Sequence, residues 1–246
     1  MSVIVAETSP SLRDWQIEPV GDRCVLVRLG QVVDAGTSRT VHAVTRLLTA
    51  SQLPGVVEVV PAFTTVAVHY QPRAFPREAG PASEQLTAQL WRLLEQDLAE
   101  DARTGRVIEI PACYGGEFGP DLEPVARHCG LAVEEVIALH SQAPFMIYAF
   151  FFTPGQPFAG PLDPRLQIGR RATPRTRVEA GTISIANGLT AINQTASPNG
   201  WNVIARTPLG LFDPQAQPPA RLRLEDRIHF RPVTPEEYRD LQEARA

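Results

Sequence analysis

Five arginines crowd the stretch from Arg165 to Arg177, at positions 165, 170, 171, 175 and 177. Only Asp163 and Glu179 stand close by in sequence, so several of these forks lack a local carboxylate. A guanidinium presents paired N–H donors matched to carboxylate or phosphate. The surrounding segment, Thr153 to Thr207, is dense in PG and NG turns and Thr-Pro pairs set around short apolar runs. The cluster reads either as a pocket wall that grips an anion or as a set of ion pairs to acids elsewhere in an acidic chain.

Three other groups carry candidate chemistry. His140 ends a predicted helix beside the turn Gln142 to Pro144, where an imidazole can act as general base, donate to a developing negative charge, or cap the last helical turn. Ser141 lacks the GxSxG surround of a nucleophile elbow. CYGGEFGPD, from Cys113, follows a strand and precedes a helix, so Gly115, Gly116 and Gly119 could bring backbone amides to a phosphate. It matches no standard phosphate loop, and Asp121 is placed to cap the helix itself. His128-Cys129 with His140 lacks the spacing of a metal site.

Composition narrows the field. All 23 basic residues are arginine, because the sequence contains no lysine. That removes a Walker-A lysine, a Schiff-base lysine and a biotin-carrier lysine together. The formal charge of −4 argues against nucleic acid as a main partner. Cys24, Cys113 and Cys129 form no CxxC and read as reduced, mostly buried thiols. No apolar run approaches the ~20 residues of a membrane span, and Met1 to Ala6 does not resemble a secretory signal, so the expected location is the cytoplasm and no membrane partner is expected.

These residues need positioning elements. Residues 1 to 14 lack periodicity and read as a flexible arm. Ile17 to Val20 and Cys24 to Leu29 flank a Gly21-Asp22 turn and predict a hairpin. Val41, Val44, Leu47 and Leu48 predict a helix over Thr37 to Leu48, stopped by Pro54-Gly55. Val56 to Val60 and Thr65 to Tyr70 read as strands, Gln85 to Leu98 as a second helix, and Val107 to Pro111 as a returning strand. From Cys24 the order is β-α-β-β-α-β, the split βαβ, ferredoxin-like arrangement. The domain therefore spans residues 15–105, with the linker near Arg103 to Arg106.

The remainder, residues 106–246, opens with a helical pair, Leu122 to His128 and Val133 to His140, joined at Gly130. Glu123, Glu134 and Glu135 would repel a phosphate backbone, so the pair reads as structural rather than as a DNA-binding helix-turn-helix. Strands follow at Met146 to Phe152, Thr182 to Ala186, Trp201 to Arg206 and Arg227 to Arg231, with proline-rich turns between them, as in a barrel or sandwich. Pro232 to Ala246 reads as a terminal helix. The fold class is α+β.

Several motifs occur in a family order: GGEFGPDL from Gly115, HS at His140-Ser141, PGxP at Pro154 to Pro157, RRATPRTRVEAG from Arg170 and SPNGWNVIARTP from Ser197. Together with GDRCVLVRLG and PGVVEVVPAFTTVAVHY earlier in the chain, they resemble the B-type subunit family of bacterial ATP-dependent 5-oxoprolinase. That family also takes in the kinase-inhibitor protein of sporulation, the carboxyltransferase segment (subdomains C and D) of urea carboxylase, and so-called allophanate hydrolase subunit 1. The resemblance covers nearly the whole chain. It implies a ferredoxin-like N-terminal domain, a cyclophilin-like β-barrel C-terminal domain, and a heteromeric complex with a homologous C-type subunit, itself cyclophilin-like, and a third subunit.

The activity implied is ATP-dependent opening of the lactam 5-oxoproline to glutamate, with this chain a non-autonomous subunit and ATP bound with or by its partners. The family pattern is retained at His140, Pro154, Gly155, Arg170, Pro174, Arg175, Gly181, Thr190, Pro198, Gly200, Trp201, Arg206 and Thr207. It implies His140 and Arg175 as catalytic residues, with Arg170, Pro154, Gly155, Gln156, Thr190, Trp201 and Arg206 binding substrate and no metal.

The chain departs from the pattern at two places. Gln156 interrupts the usual PGFPYLG, and Leu189, Ala191, Asn193 and Gln194 replace residues of the usual GxQTGxYP. Changes on a hydrogen-bonding edge alter specificity, which opens two outcomes: a related lactam, amide or urea-like substrate, or loss of activity. Two alternatives stand beside the hydrolase: a regulatory binding protein that inhibits a histidine kinase, and a carboxyltransferase component of a urea carboxylase or allophanate hydrolase-like system, which would use biotin carried on another chain.

Overall fold

The structure, a computed structural model, describes residues 15–95, 105–142 and 144–244. The chain divides into two compact units, Met1–Arg103 and Thr104–Ala246. The expected arm over residues 1–14 and the first half of the expected linker lie outside the described residues, as do the last residues assigned to the second and terminal helices.

The first unit is a four-stranded antiparallel sheet carrying two helices. Its strands are β1 (Gln16–Pro19), β2 (Cys24–Arg28), β3 (Val56–Pro61) and β4 (Thr65–Tyr70), in spatial order β1-β2-β4-β3. Strict alternation along β2 and β4 sends Val25, Val27, Val66, Val68 and Tyr70 into the core. There they meet Val41, Val44 and Leu48 of α1 (Ala35–Ser51) and Leu86, Leu90 and Leu94 of α2 (Ala82–Leu94). Asp34 caps α1 by accepting from the Thr37 amide at 2.8 Å.

One expected strand lies elsewhere. Val107–Tyr114 (β5) does not close the first sheet; it pairs parallel with β13 (Arg227–Pro232) and antiparallel with β12 (Asn202–Arg206). The physical reason is a filled edge. The β1–β2 hairpin, in register Gln16↔Arg28 to Pro19↔Val25, already occupies the free side of β2, while Ile110 and Ala112 of β5 find apolar partners in the second unit.

That second unit is a closed seven-stranded barrel in the order β10-β7-β6-β13-β5-β12-β9. Its remaining strands are β6 (Phe145–Phe150), β7 (Pro157–Gly160), β9 (Thr182–Ala186) and β10 (Leu189–Ile192). A separate two-stranded ribbon joins β8 (Arg175–Val178) to β11 (Ser197–Asn199). The helices are α3 (Leu122–Cys129), α4 (Val133–Ser141) and α5 (Pro235–Glu243). The barrel core holds Ile110, Ile147, Ala159, Ile183, Ile185, Ile192, Ala205 and Phe230, and α3 and α4 contribute Val125, Val136 and Leu139 to it.

The GGEFGPD loop is a clamp on β12. Gly115 N donates to Ile204 O at 3.1 Å and Asp121 N to Val203 O at 2.8 Å. A Cβ at Gly119 would fall 1.9 Å from the Ile204 carbonyl oxygen, so only glycine allows this approach. Asp121 makes no side-chain cap on α3. The capping expectation fails because that carboxylate is engaged elsewhere.

Candidate functional site

Strand alternation sorts the candidate residues onto two faces of the barrel wall. Thr190 lies opposite Ala159, and Ala191 opposite Phe158. Since Ala159 belongs to the barrel core and Phe158 does not, Thr190 points inward and Phe158 outward.

On the inner side sits His140, fully enclosed at 0% exposure. Its Nδ1 is 2.7 Å from the Tyr114 hydroxyl and its Nε2 is 2.9 Å from Thr190 Oγ1, so α4, β5 and β10 are tied through one imidazole. The ring stacks on Phe230 with centroids 4.5 Å apart and leans on Phe145 at 5.3 Å. Burial drives the histidine pKa down to about 3 and pushes the Tyr114 phenol well above its usual range. A neutral imidazole has one donor and one acceptor, and the two hydroxyls occupy both. His140 therefore fixes its neighbours and has no nitrogen open to a molecule arriving from solvent.

This burial gives a testable pH signature. The native imidazole stays neutral down to about pH 3, whereas the unfolded one takes a proton near 6.5. Between those values the unfolded chain binds more protons, so stability falls as pH drops through 6.5 toward 3. Denaturant unfolding at pH 5.0 should show a loss of about 2 kcal/mol relative to pH 7.5 from this group. His140→Gln, which keeps a hydrogen-bonding amide, should flatten that slope; an unchanged slope would place the titration elsewhere.

The outer face forms a shelf over β7, β9, β10 and β12, in which Ser184, Asn193 and Phe158 are themselves buried and Phe152 and Trp201 reach the surface. Phe158 meets Trp201 edge-on at 5.5 Å, and Phe152 lies 5.8 Å from Phe158. Ser184, between the inward Ile183 and Ile185, faces the same way. Asn199 Nδ2 donates to Ser184 Oγ at 3.2 Å and to Asn193 Oδ1 at 3.0 Å, Asn193 Nδ2 donates to Ser197 Oγ at 3.0 Å, and the Trp201 amide donates to Asn199 Oδ1 at 2.7 Å. The shelf thus pairs an aromatic wall with a chain of amides and hydroxyls.

Most of the arginine cluster is committed. Arg165 pairs with Asp163, at 2.9 Å, and Arg177 with Glu179, at 3.0 Å. Arg171 and Arg175 both close on Asp121, which is 2% exposed. Arg175 contributes two bonds, Nη1 to Oδ2 at 2.5 Å and Nη2 to Oδ1 at 2.9 Å, and Val203 N donates to Oδ2 at 2.8 Å. Arg175 is thus a braced structural cation and not a free fork. Arg170 differs. It is exposed and makes no ion pair or hydrogen bond among the described residues.

Arg170 also has a fixed place. The adjacent Arg171 amide donates to Gly200 O at 2.8 Å. A Cβ at Gly200 would fall 2.9 Å from Arg170 Nη2, so the missing side chain leaves room for the guanidinium beside Trp201. Pro154 and Gly155 lie in the turn Thr153–Gln156, where Gln156 N donates to Thr153 O at 3.1 Å and Thr153 Oγ1 donates to Gln156 Oε1 at 3.1 Å. Phe152 precedes that turn with φ +65° and is 89% exposed, and Thr153 N donates back across it to Phe151 O at 2.8 Å. Arg206 faces away from the barrel core with its charge beside Tyr238 of α5; its Nε is buried without a hydrogen-bond partner among the described residues.

The departures from the family pattern fall on or near the shelf. Asn193 is one of its amides. Gln194 instead accepts from the Leu211 amide at 2.9 Å, and Leu189 packs over Gly160. Sequence reasoning missed Tyr114, Ser184, Phe158 and Asn199, and placed Asp121 only as a helix cap. The signal for Ser184 was present, in a single hydroxyl between two isoleucines in TISIA. Among the described residues no group of three or more His, Cys, Asp or Glu could hold a metal ion, and no described helix is long and apolar enough to cross a membrane.

The family model for the carboxyltransferase domain, subdomains C and D, matches residues 15–222. The chain belongs to that family. A curated relative, the B-type subunit of 5-oxoprolinase from Bacillus subtilis (strain 168), is 36% identical over 233 residues, covering 93% of this chain and 97% of the relative. Its counterpart in Escherichia coli O157:H7 is 35% identical over 215 residues, covering 87% of this chain and 94% of its own. Among solved structures, TTHA0988 matches at a TM-score of 0.72 and 33% identity over 86% of this chain, which spans 40% of the TTHA0988 chain. The match to the carboxyltransferase C and D family thus runs through both the sheet unit and most of the barrel unit.

Proposed function

We propose that this chain is the B-type subunit of a heteromeric ATP-dependent 5-oxoprolinase-like amidohydrolase. In this reading the two units are a ferredoxin-like domain and a cyclophilin-like barrel, and the outer shelf receives a small lactam bearing a carboxylate. One observation carries the reading: among the described residues Arg170 is a guanidinium without an acid partner, set beside Trp201, whose amide is held by Asn199. The fork takes the carboxylate and the partly exposed face of Trp201 takes the ring, while the amide chain holds Trp201 in place through Asn199. Asp121 braces the segment that carries Arg170, and His140 holds the wall from inside. In the overall reaction, ATP and water are consumed as the ring C–N bond breaks, giving an amino acid, ADP and phosphate. With no lysine in the chain, the phosphate-handling groups belong to the partner subunits or to arginine.

The names of the relatives support this assignment, since both are B-type subunits of 5-oxoprolinase that match along nearly their whole length. The expected setting is cytoplasmic. A second reading, a regulatory binding protein, draws on the enclosure of His140, which leaves the shelf without an accessible imidazole. The urea carboxylase of Kluyveromyces lactis shares the fold at 20% identity; a biotin-dependent carboxyl transfer would need its carrier lysine on another chain.

Co-expression with a C-type subunit homologue tests the assignment. The two chains are expected to elute together in size-exclusion chromatography as one complex. Separate elution in the presence of both partner subunits would count against the subunit role.

A further inference from the structure

The first unit holds a cleft of about 830 Å³ that the proposed lactam site does not use. Its wall is the segment QPRAFPREAGP, residues 71–81, in which a Pro-Arg step occurs twice, four residues apart. The steps fold into consecutive 3-10 turns, Pro72–Ala74 and Arg77–Ala79. The wall is stiff. Pro72, Pro76 and Pro81 fix φ at three positions, and Phe75 is buried edge-on against Tyr70 with centroids 5.6 Å apart. Gln85 Nε2 donates to the carbonyls of Pro76 and Gly80, both at 2.8 Å. The opposite side is tied to the same sheet, because Tyr70 N donates to Arg23 O at 2.9 Å.

Arg23, Arg73 and Arg77 line this cleft. Arg73 Nε donates to Gln71 Oε1 at 3.0 Å, and none of the three makes an ion pair among the described residues. Among the described residues that line it, Asp22 is the one carboxylate; Glu78, in the second 3-10 turn, and Glu84, in the first turn of α2, are exposed outside the lining. Three guanidinium groups against one carboxylate, held on rigid backbone in an acidic chain, form a local positive field that a multiply charged anion relieves. A lone carboxylate would engage one fork. A chain of phosphates engages several, and the cleft volume falls in the range of small-molecule sites.

We propose that this cleft binds an oligophosphate-bearing small molecule, its phosphate oxygens held by Arg23, Arg73 and Arg77 and its remainder lying along Pro72 and Pro81. The site belongs to the first unit and does not depend on the lactam assignment. Isothermal titration calorimetry of the full chain with inorganic tripolyphosphate, at about 150 mM salt to screen loose surface attraction, tests it. One saturable site is expected, weakened by about tenfold or more in the Arg73→Ala/Arg77→Ala double variant and in Arg23→Ala. The unfolding midpoint should be unchanged, because these side chains hold no ion pair among the described residues. ATP run in parallel separates the sources: equal affinity assigns the phosphate chain alone, tighter binding assigns a nucleotide. No saturable site, binding undiminished in the folded variants, or equal affinity for citrate would overturn the proposal.

Discussion

Replacing Asp121 by alanine is expected to destabilise the second unit by about 3 kcal/mol, a loss typical of breaking a buried ion pair from one side. The carboxylate is 2% exposed and accepts from Arg171, Arg175 and the Val203 amide at once. Removing it leaves two guanidinium groups facing each other. Their side chains are 31% and 27% exposed, so water restores only part of what is lost. Asp121→Asn keeps the shape and an acceptor for Val203 N but removes the charge, and should fall between alanine and wild type. Urea unfolding measures both. A change below about 1 kcal/mol for alanine, the scale of an exposed pair, would mean that the three-way contact does not hold the barrel together.

Arg170→Ala should behave in the opposite way. With no ion pair to lose among the described residues, the folded chain should keep its unfolding midpoint. In the assembled complex, however, kcat/KM for the lactam should fall by about 100-fold, the scale of losing a charge-assisted hydrogen bond to a carboxylate. Arg175→Ala gives the contrast: it should lower stability along with activity, because Arg175 holds Asp121 by two bonds. Equal activity of Arg170→Ala and wild type would remove the carboxylate fork from the shelf.

The arginine cluster shows both what sequence makes legible and what it leaves hidden. Its density was visible, and so were the two possible fates of a guanidinium. Which arginine has which fate depends on Asp121, a residue far along the chain that the barrel carries to Arg171 and Arg175. Local sequence instead suggests a helix cap, and nothing nearby competes with that suggestion. His140 shows the same limit. A histidine at a helix end looks accessible in sequence, yet α4 delivers it against Phe230 and Phe145 in the core.

Elements with strong periodicity were legible: α1, the β1–β2 hairpin, β3, β4, β9, β12 and the helical pair all lie where apolar spacing placed them. The strands that were not anticipated, β7, β8, β10 and β11, are three or four residues long, too short to show a period. Partner choice was the other hidden quantity. β5 has the composition of a strand wherever it goes, and only the filled edge beside β2 and the parallel partner β13 decide which sheet it joins.

The most direct test of the central claim is lactam-dependent ATP hydrolysis by this chain co-purified with its C-type partner and the third subunit, across 5-oxoproline, related lactams and ureas. One carboxylate-bearing lactam is expected to stimulate ATP hydrolysis with stoichiometric ring opening, and Arg170→Ala is expected to abolish most of that stimulation. An intact complex that no lactam stimulates, or that turns over a lactam equally well with Arg170→Ala, would contradict the claim.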